Sequence, residues 1–113
     1  AENINVTSFV GVTTVTTGAF VGGKPVLGFA TVLLVNGAGA SRTYTIQVYR
    51  DSSTNVSNTY STFITAGDAQ TMSLHWLEDS SISGAHDYSL LIRSSSATGT
   101  QTATSRRLTA VEL

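Results

Sequence analysis

The amino-acid sequence predicts an all-β protein, an antiparallel β-sandwich of the jelly-roll type, with an immunoglobulin-like sandwich as the alternative. Three observations carry that expectation. Apolar residues recur at every second position, as in "TYTIQVY" over 43–49 and "TMSLHW" over 71–76, which is the period of a pleated strand with one buried face. β-Branched residues dominate the same stretches, and their stiff side chains pack well on a pleated surface. Turn-forming clusters punctuate the chain at short, regular intervals, the spacing of a sandwich or barrel.

Taken in chain order, strands are expected over residues 4–9, 12–21, 26–35, 43–49, 59–64, 70–77, 87–93, 100–103 and 107–113. The separators are "GGKP" (22–25), "NGAGAS" (36–41), "RDSSTN" (50–55), "AGD" (66–68), "EDSSISGA" (78–85) and "SSSATG" (94–99). Gly tolerates positive φ in such turns, Asp, Asn and Ser hydrogen-bond their own backbone, and Pro25 presets φ.

Alternation assigns the core. Tyr44, Ile46 and Val48 share a face, as do Met72, Leu74 and Trp76, and likewise Tyr88, Leu90 and Ile92; these three sets are expected to meet between the sheets. Trp76 is the leading core candidate. The rival role for it is an exposed platform for stacking sugars.

Several strands are apolar on both faces. In "VLGFATVLLV" (26–35) one face carries Val26, Ala30, Val32 and Leu34, and the other Leu27, Phe29, Leu33 and Val35. The last strand sets Leu108 and Ala110 against Val111 and Leu113 at a slipped parity, while Leu77 and Leu91 point away from their own core sets. Monomers rarely expose large contiguous apolar patches. Phe29, Leu33, Leu77, Leu91, Val111 and Leu113 are therefore expected to form an oligomer interface that pins the C-terminal strand. The alternative is that the N-terminal strands fold over these faces within one subunit.

A chain of 113 residues suits one domain that buries roughly two-thirds of its unfolded surface, here taken as 1–113 with 1–23 as an N-terminal arm or docking segment. Cysteine is absent, which excludes disulfides, thiolate nucleophiles and cysteine-based zinc sites. Only 12% of residues are charged and the formal net charge is -1, so no phosphate-binding surface is present and nucleic acid is not an expected partner. No apolar run reaches the roughly 18 residues of a membrane span, and "AENINV" lacks the basic and apolar regions of an export signal. A start at Ala1 fits trimming of an initiator Met, and the chain is read as a complete small gene product. Ser and Thr fill nearly a third of the positions, a composition common in virion-surface and extracellular β proteins.

From Ser41 onward the segments run "SRTYTIQVYRD", "AGDAQTMSLHWLED", "SGAHDYSLLIRSS" and "GTQTATSRRLTAVEL". A Gly-Asp turn leads into a strand ending in a bulky aromatic, a small-residue loop leads into a His-x-Tyr strand, and a basic residue precedes a closing apolar strand. This order resembles the C-terminal part of small jelly-roll domains of the tumour-necrosis-factor and complement type, found in phage structural proteins such as fibre heads, knobs and capsid decorations. It covers about two-thirds of the chain, and the segment over 7–23 does not match. The resemblance implies a homotrimer packed about a threefold axis, with the closing strand near the centre.

Chemistry is sparse. His75 and His86, with Glu78, Asp79 and Asp87 nearby in sequence, are ligand types for a divalent metal, but their spacing matches no metal motif and hydrogen bonding is expected instead. No nucleophile elbow, phosphate-cradling Gly loop or dinucleotide fingerprint occurs, so no catalytic residue and no cofactor are expected. Asn5-Val6-Thr7 and Asn55-Val56-Ser57 match the glycosylation triplet, which arises readily in a Ser/Thr-rich chain. The loops "RDSSTN" and "EDSSISGA" are the best-placed recognition segments.

The leading functional expectation is a non-enzymatic virion structural protein, a trimer that decorates or cements a phage capsid or caps a fibre. Its partners would be other copies, capsid or fibre proteins and host surface glycans, with no membrane involvement. The alternative is a carbohydrate-binding or cell-surface adhesin module, with Trp76, Tyr49 or Tyr60 stacking on sugars.

Overall fold

A computed structural model of the chain describes residues 2–79 and 82–113. Among them are nine strands: β1 (Glu2–Asn3), β2 (Val10–Thr16), β3 (Val26–Gly37), β4 (Arg42–Arg50), β5 (Thr54–Asn55), β6 (Tyr60–Ile64), β7 (Ala69–Glu78), β8 (Asp87–Ser94) and β9 (Thr100–Glu112). One sheet has the order β1-β9-β3-β7; the other runs β2-β8-β4, with β5 and β6 both along the far side of β4. Every pairing is antiparallel.

With β5 and β6 counted as one interrupted strand, the first strand pairs with the last, the second with the second-last, and so on inward to β4. That is a long hairpin rolled into two facing sheets, the wrap of a jelly roll. Successive strands from β1 to β4 alternate between the sheets. An immunoglobulin-like sandwich keeps its first two strands in one sheet, so that alternative is set aside.

The inward faces meet in one core. Tyr44, Ile46, Val48, Met72, Leu74, Trp76, Tyr88, Leu90 and Ile92 are all buried there, with Val26, Ala30, Val32, Leu34, Ile4 and Val12. β3 breaks its apolar alternation at Gly28, and the register explains why. Gly28 faces Trp76 across the ladder, and a Cβ at position 28 would lie 2.0 Å from Trp76 Cζ2. The indole occupies the space a side chain would need and packs against Tyr88 on its other side, with ring centroids 5.5 Å apart.

Two buried side-chain amides are fully paired. Buried Gln101 accepts from Tyr44 Oη at 2.9 Å and from Ser94 Oγ, and its amide donates to the carbonyls of Ser96 (2.9 Å) and Thr98 (3.0 Å). Asn36 donates to the carbonyls of Ala40 and Ile64 while accepting from the Ala38 N–H. Such satisfied groups avoid the desolvation penalty of an orphaned donor or acceptor.

Three strand expectations are corrected. Residues 4–9 are irregular rather than a strand, and the strand expected over 12–21 ends at Thr16, leaving Phe20 in a lone bridge to Gly84. The segments 100–103 and 107–113 are one strand with a bulge: Thr104 pairs with Leu33 and Arg107 with Thr31, so Ser105 and Arg106 both oppose Val32, with Ser105 at φ +50°. An extra residue switches which parity faces inward. Gln101 and Ala103 point in before the bulge, Leu108 and Ala110 after it.

Residues 2–16, within the segment expected as an arm, are built into the sandwich. β1 closes the edge of one sheet against β9, and β2 closes the other against β8. The C-terminal strand has a full partner within its own subunit. Its ladder to β3 runs from Thr100 to Glu112, and the Leu113 N–H donates to the Pro25 carbonyl, so backbone pairing within one subunit holds it.

Candidate functional site

The six residues expected at an oligomer interface do not share one surface. On the outer face of the β1-β9-β3-β7 sheet the register sets Val111, Leu27 and Leu77 in one row and Thr109, Phe29 and His75 in the next. Phe29, Leu77, Val111 and Leu113 are exposed there, and Leu33 is half-buried further along β3. Leu91 lies on the outer face of the opposite sheet, between Gly11 and Gln47.

Arg50, Asp51, Glu78 and His86 converge at one corner. Arg50, at the end of β4, forms an ion pair across the sandwich with buried Glu78 at the end of β7. Tyr88 donates to the other Glu78 oxygen at 2.5 Å. Burial, and then that bond, push the Tyr88 phenol well above its ordinary range.

Beyond Arg50 the chain reverses in a tight hairpin into β5. Asp51 (φ 52°) and Ser52 (φ 63°) are both left-handed, and the Ser53 N–H donates to the Arg50 carbonyl at 3.2 Å. Two positive-φ central residues define a type I′ turn, whose usual occupants are Asn and Gly. Asp51 holds this conformation because its carboxylate is used twice: Oδ2 meets His86 Nδ1 at 2.8 Å and Oδ1 accepts from the Asp87 N–H at 3.1 Å.

His86 Nε2 lies 2.8 Å from the Ser83 carbonyl. A carboxylate and a carbonyl both only accept, so the two contacts are both hydrogen bonds only when the imidazole carries a proton on each nitrogen. The bond to Asp51, then that to Ser83, raises the His86 pKa, and the His86 bond lowers that of Asp51. His75 lies apart on the outer face of β7, paired in register with Phe29. Among the described residues no group of three or more His, Asp or Glu is placed to hold a metal.

The turn aims the chain along the open side of β4. Val56 N–H donates to the Val48 carbonyl and Ser57 Oγ accepts from the Val48 N–H, so residues 55–58 bow outward before β6 rejoins β4 at Tyr60. Between this bow and β7 lies a groove of about 490 Å³. Val56 and Leu77 supply apolar wall; Asn58, Tyr60, His75 and Trp76 supply polar atoms. No Asp, Glu, Lys or Arg lines it.

Trp76 cannot stack on a ligand, because Gly28 and Tyr88 already flank its ring and it is only 4% exposed. Its indole N–H is buried without an acceptor among the described residues. Asn55 spends its amide on Gln47 and the Ser57 N–H. Tyr60 is half-buried in the groove, whereas Tyr49 sits on the outer face of β4 beside Ser89. The loop "RDSSTN" thus shapes the groove, while Ser80 and Ser81 of "EDSSISGA" lie outside the described residues.

These features define the chain as a jelly-roll β-sandwich with an uncharged groove at the margin where its sheets meet. A solved structure to which it is similar is the C-terminal domain of EclA, a sugar-binding protein, at a TM-score of 0.61 over 96% of this chain and 73% of that one, with 10% identity. The likeness is one of fold. No family model and no curated protein matches the chain.

Proposed function

We propose that this protein is a non-enzymatic carbohydrate-binding β-sandwich and that the groove beside β7 takes a neutral saccharide. The carrying observation is an uncharged groove whose polar side chains have no partner among the described residues, the Asn58 amide, the Tyr60 hydroxyl and the His75 ring, set beside apolar Val56 and Leu77. Hydroxyls arrayed around an apolar ring face fit polar groups set beside Leu77 and Val56. The absence of carboxylates from the lining argues for recognition without calcium, which needs oxygen ligands that are mostly carboxylates. The fold likeness to a sugar-binding domain supports the same reading.

Titration of the full chain with methyl glucoside, methyl galactoside and methyl mannoside, followed by amide and indole NMR, tests it. At least one sugar is expected to shift the Trp76 indole and Asn58 resonances, and Asn58→Ala with Tyr60→Ala to remove the effect. Shifts confined to other surfaces, or none with any of the three, would overturn it.

A second reading, the trimeric virion decoration expected from the sequence, is favoured by exposed Phe29, Leu77 and Val111 on one sheet face. A monomeric mass by sedimentation at micromolar concentration would remove it.

A further inference from the structure

The geometry points to a second, separate pocket that binds the carboxylate or sulfate of an acidic sugar, built around Arg93 on the outer face of the β2-β8-β4 sheet. It goes beyond the neutral-sugar groove and shares no residue with it. Along β4 the pocket sits at Thr43 and Thr45, whereas the groove lies beside Tyr60 and Asn55, which pair with Ile46 and Tyr49.

The pocket, of about 290 Å³, is walled by Thr7, Thr43, Thr45, Arg93 and Ser95. Arg93 stands beside Thr45 in the β4–β8 register. Its guanidinium carbon lies 4.9 Å from the centre of the Phe9 ring, a cation–π contact that braces the side chain without using its N–H donors. The wall holding Thr7 is tied down by the Ser94 N–H donating to the Val6 carbonyl at 2.7 Å.

Charge decides the ligand class. Arg50 and Arg106 each have a carboxylate partner, whereas Arg93 has neither an ion pair nor a hydrogen bond among the described residues, and no Asp or Glu lines its pocket. A guanidinium braced by a ring, with its donors unused, matches a planar carboxylate or a sulfate edge in a bidentate pair. The hydroxyls of Thr7 and Thr43 are also without partners among the described residues, and they provide donors and acceptors for sugar hydroxyls. Phe63, 66% exposed, pairs with Thr43 across the ladder and offers an apolar platform at the pocket edge. A bare anion would leave the hydroxyls and Phe63 unused.

The test is an NMR titration of the full chain with methyl glucuronide, methyl glucoside and inorganic sulfate. Methyl glucuronide is expected to shift Thr43, Thr45 and Ser95 amides, with an affinity at least tenfold above that of sulfate; methyl glucoside should leave them unmoved. Arg93→Gln should weaken glucuronide binding at least about tenfold, the loss of one charge-assisted contact, and Arg93→Lys should restore only part of it, while Asn58→Ala leaves it intact. The proposal is overturned if glucuronide fails to shift these amides, if Arg93→Gln binds as wild type does, or if sulfate binds as well as glucuronide, which would mark an anion hole that reads no sugar. Failure of the groove alone, seen as unmoved Trp76 and Asn58 resonances with methyl glycosides, leaves this result independent.

Discussion

Arg50 and Glu78 join the two sheets through an ion pair at the end of the sandwich, with Glu78 buried and Tyr88 bonded to its second oxygen. Removing one member of a buried pair leaves the other charge without compensation. Glu78→Ala is expected to destabilise the fold by about 3 kcal/mol, near the low end because Arg50 retains some access to water. Glu78→Gln, which still accepts from Tyr88, should cost less. Chemical denaturation measures both, and a Glu78→Ala change below about 0.5 kcal/mol, the range of ordinary surface substitutions, contradicts the assignment.

The Asp51–His86 pair makes stability depend on pH in a defined direction. His86 has a raised pKa, so its contribution is complete below the ordinary value of 6.5 and fades as pH rises through the higher folded value. Asp51 has a lowered pKa, so its contribution is present above 3.8 and fades as pH falls through the lower folded value. The pair therefore stabilises most between pH 3.8 and 6.5. Melting temperature is expected to fall as pH is raised from about 6 to 8, and His86→Ala to flatten that fall. An unchanged slope in the variant would refute the linkage.

Gly28 is the position where the smallest side chain has the largest effect. Gly28→Ala places a methyl group within 2.0 Å of the Trp76 ring, which must then move against Tyr88. Overpacking of this kind costs about 1–3 kcal/mol or more, and near-ultraviolet circular dichroism should report the displaced indole. A variant as stable as the parent, with an unaltered aromatic spectrum, would argue against this packing.

Phe29 lies on the outer face, half exposed at 50%. Phe29→Asp is therefore expected to change monomer stability by less than about 0.5 kcal/mol, and to dissociate any oligomer built on that face. Sedimentation and denaturation separate the two effects: loss of folding in a monomeric variant would show that Phe29 supports the sandwich itself.

The period-two pattern, the β-branched composition and the spacing of turns were enough to specify two layers of antiparallel strands and the nine core residues from Tyr44 to Ile92, because burial of one strand face is a local property that repeats along the chain. The pattern misread residues 4–9 and 17–21, where β-branched and aromatic residues occur outside the ladders. It could not place the bulge at Ser105, since an inserted residue appears in sequence only as a parity slip. Asn58, Arg93 and the Arg50–Glu78 and Asp51–His86 pairs carried no signal, because each depends on residues from strands far apart in the chain. Only the rolled-hairpin topology brings these together. Backbone pairing across the sheets chooses neighbours that no local periodicity can name, and it decided that β9 is held by β3 within the subunit.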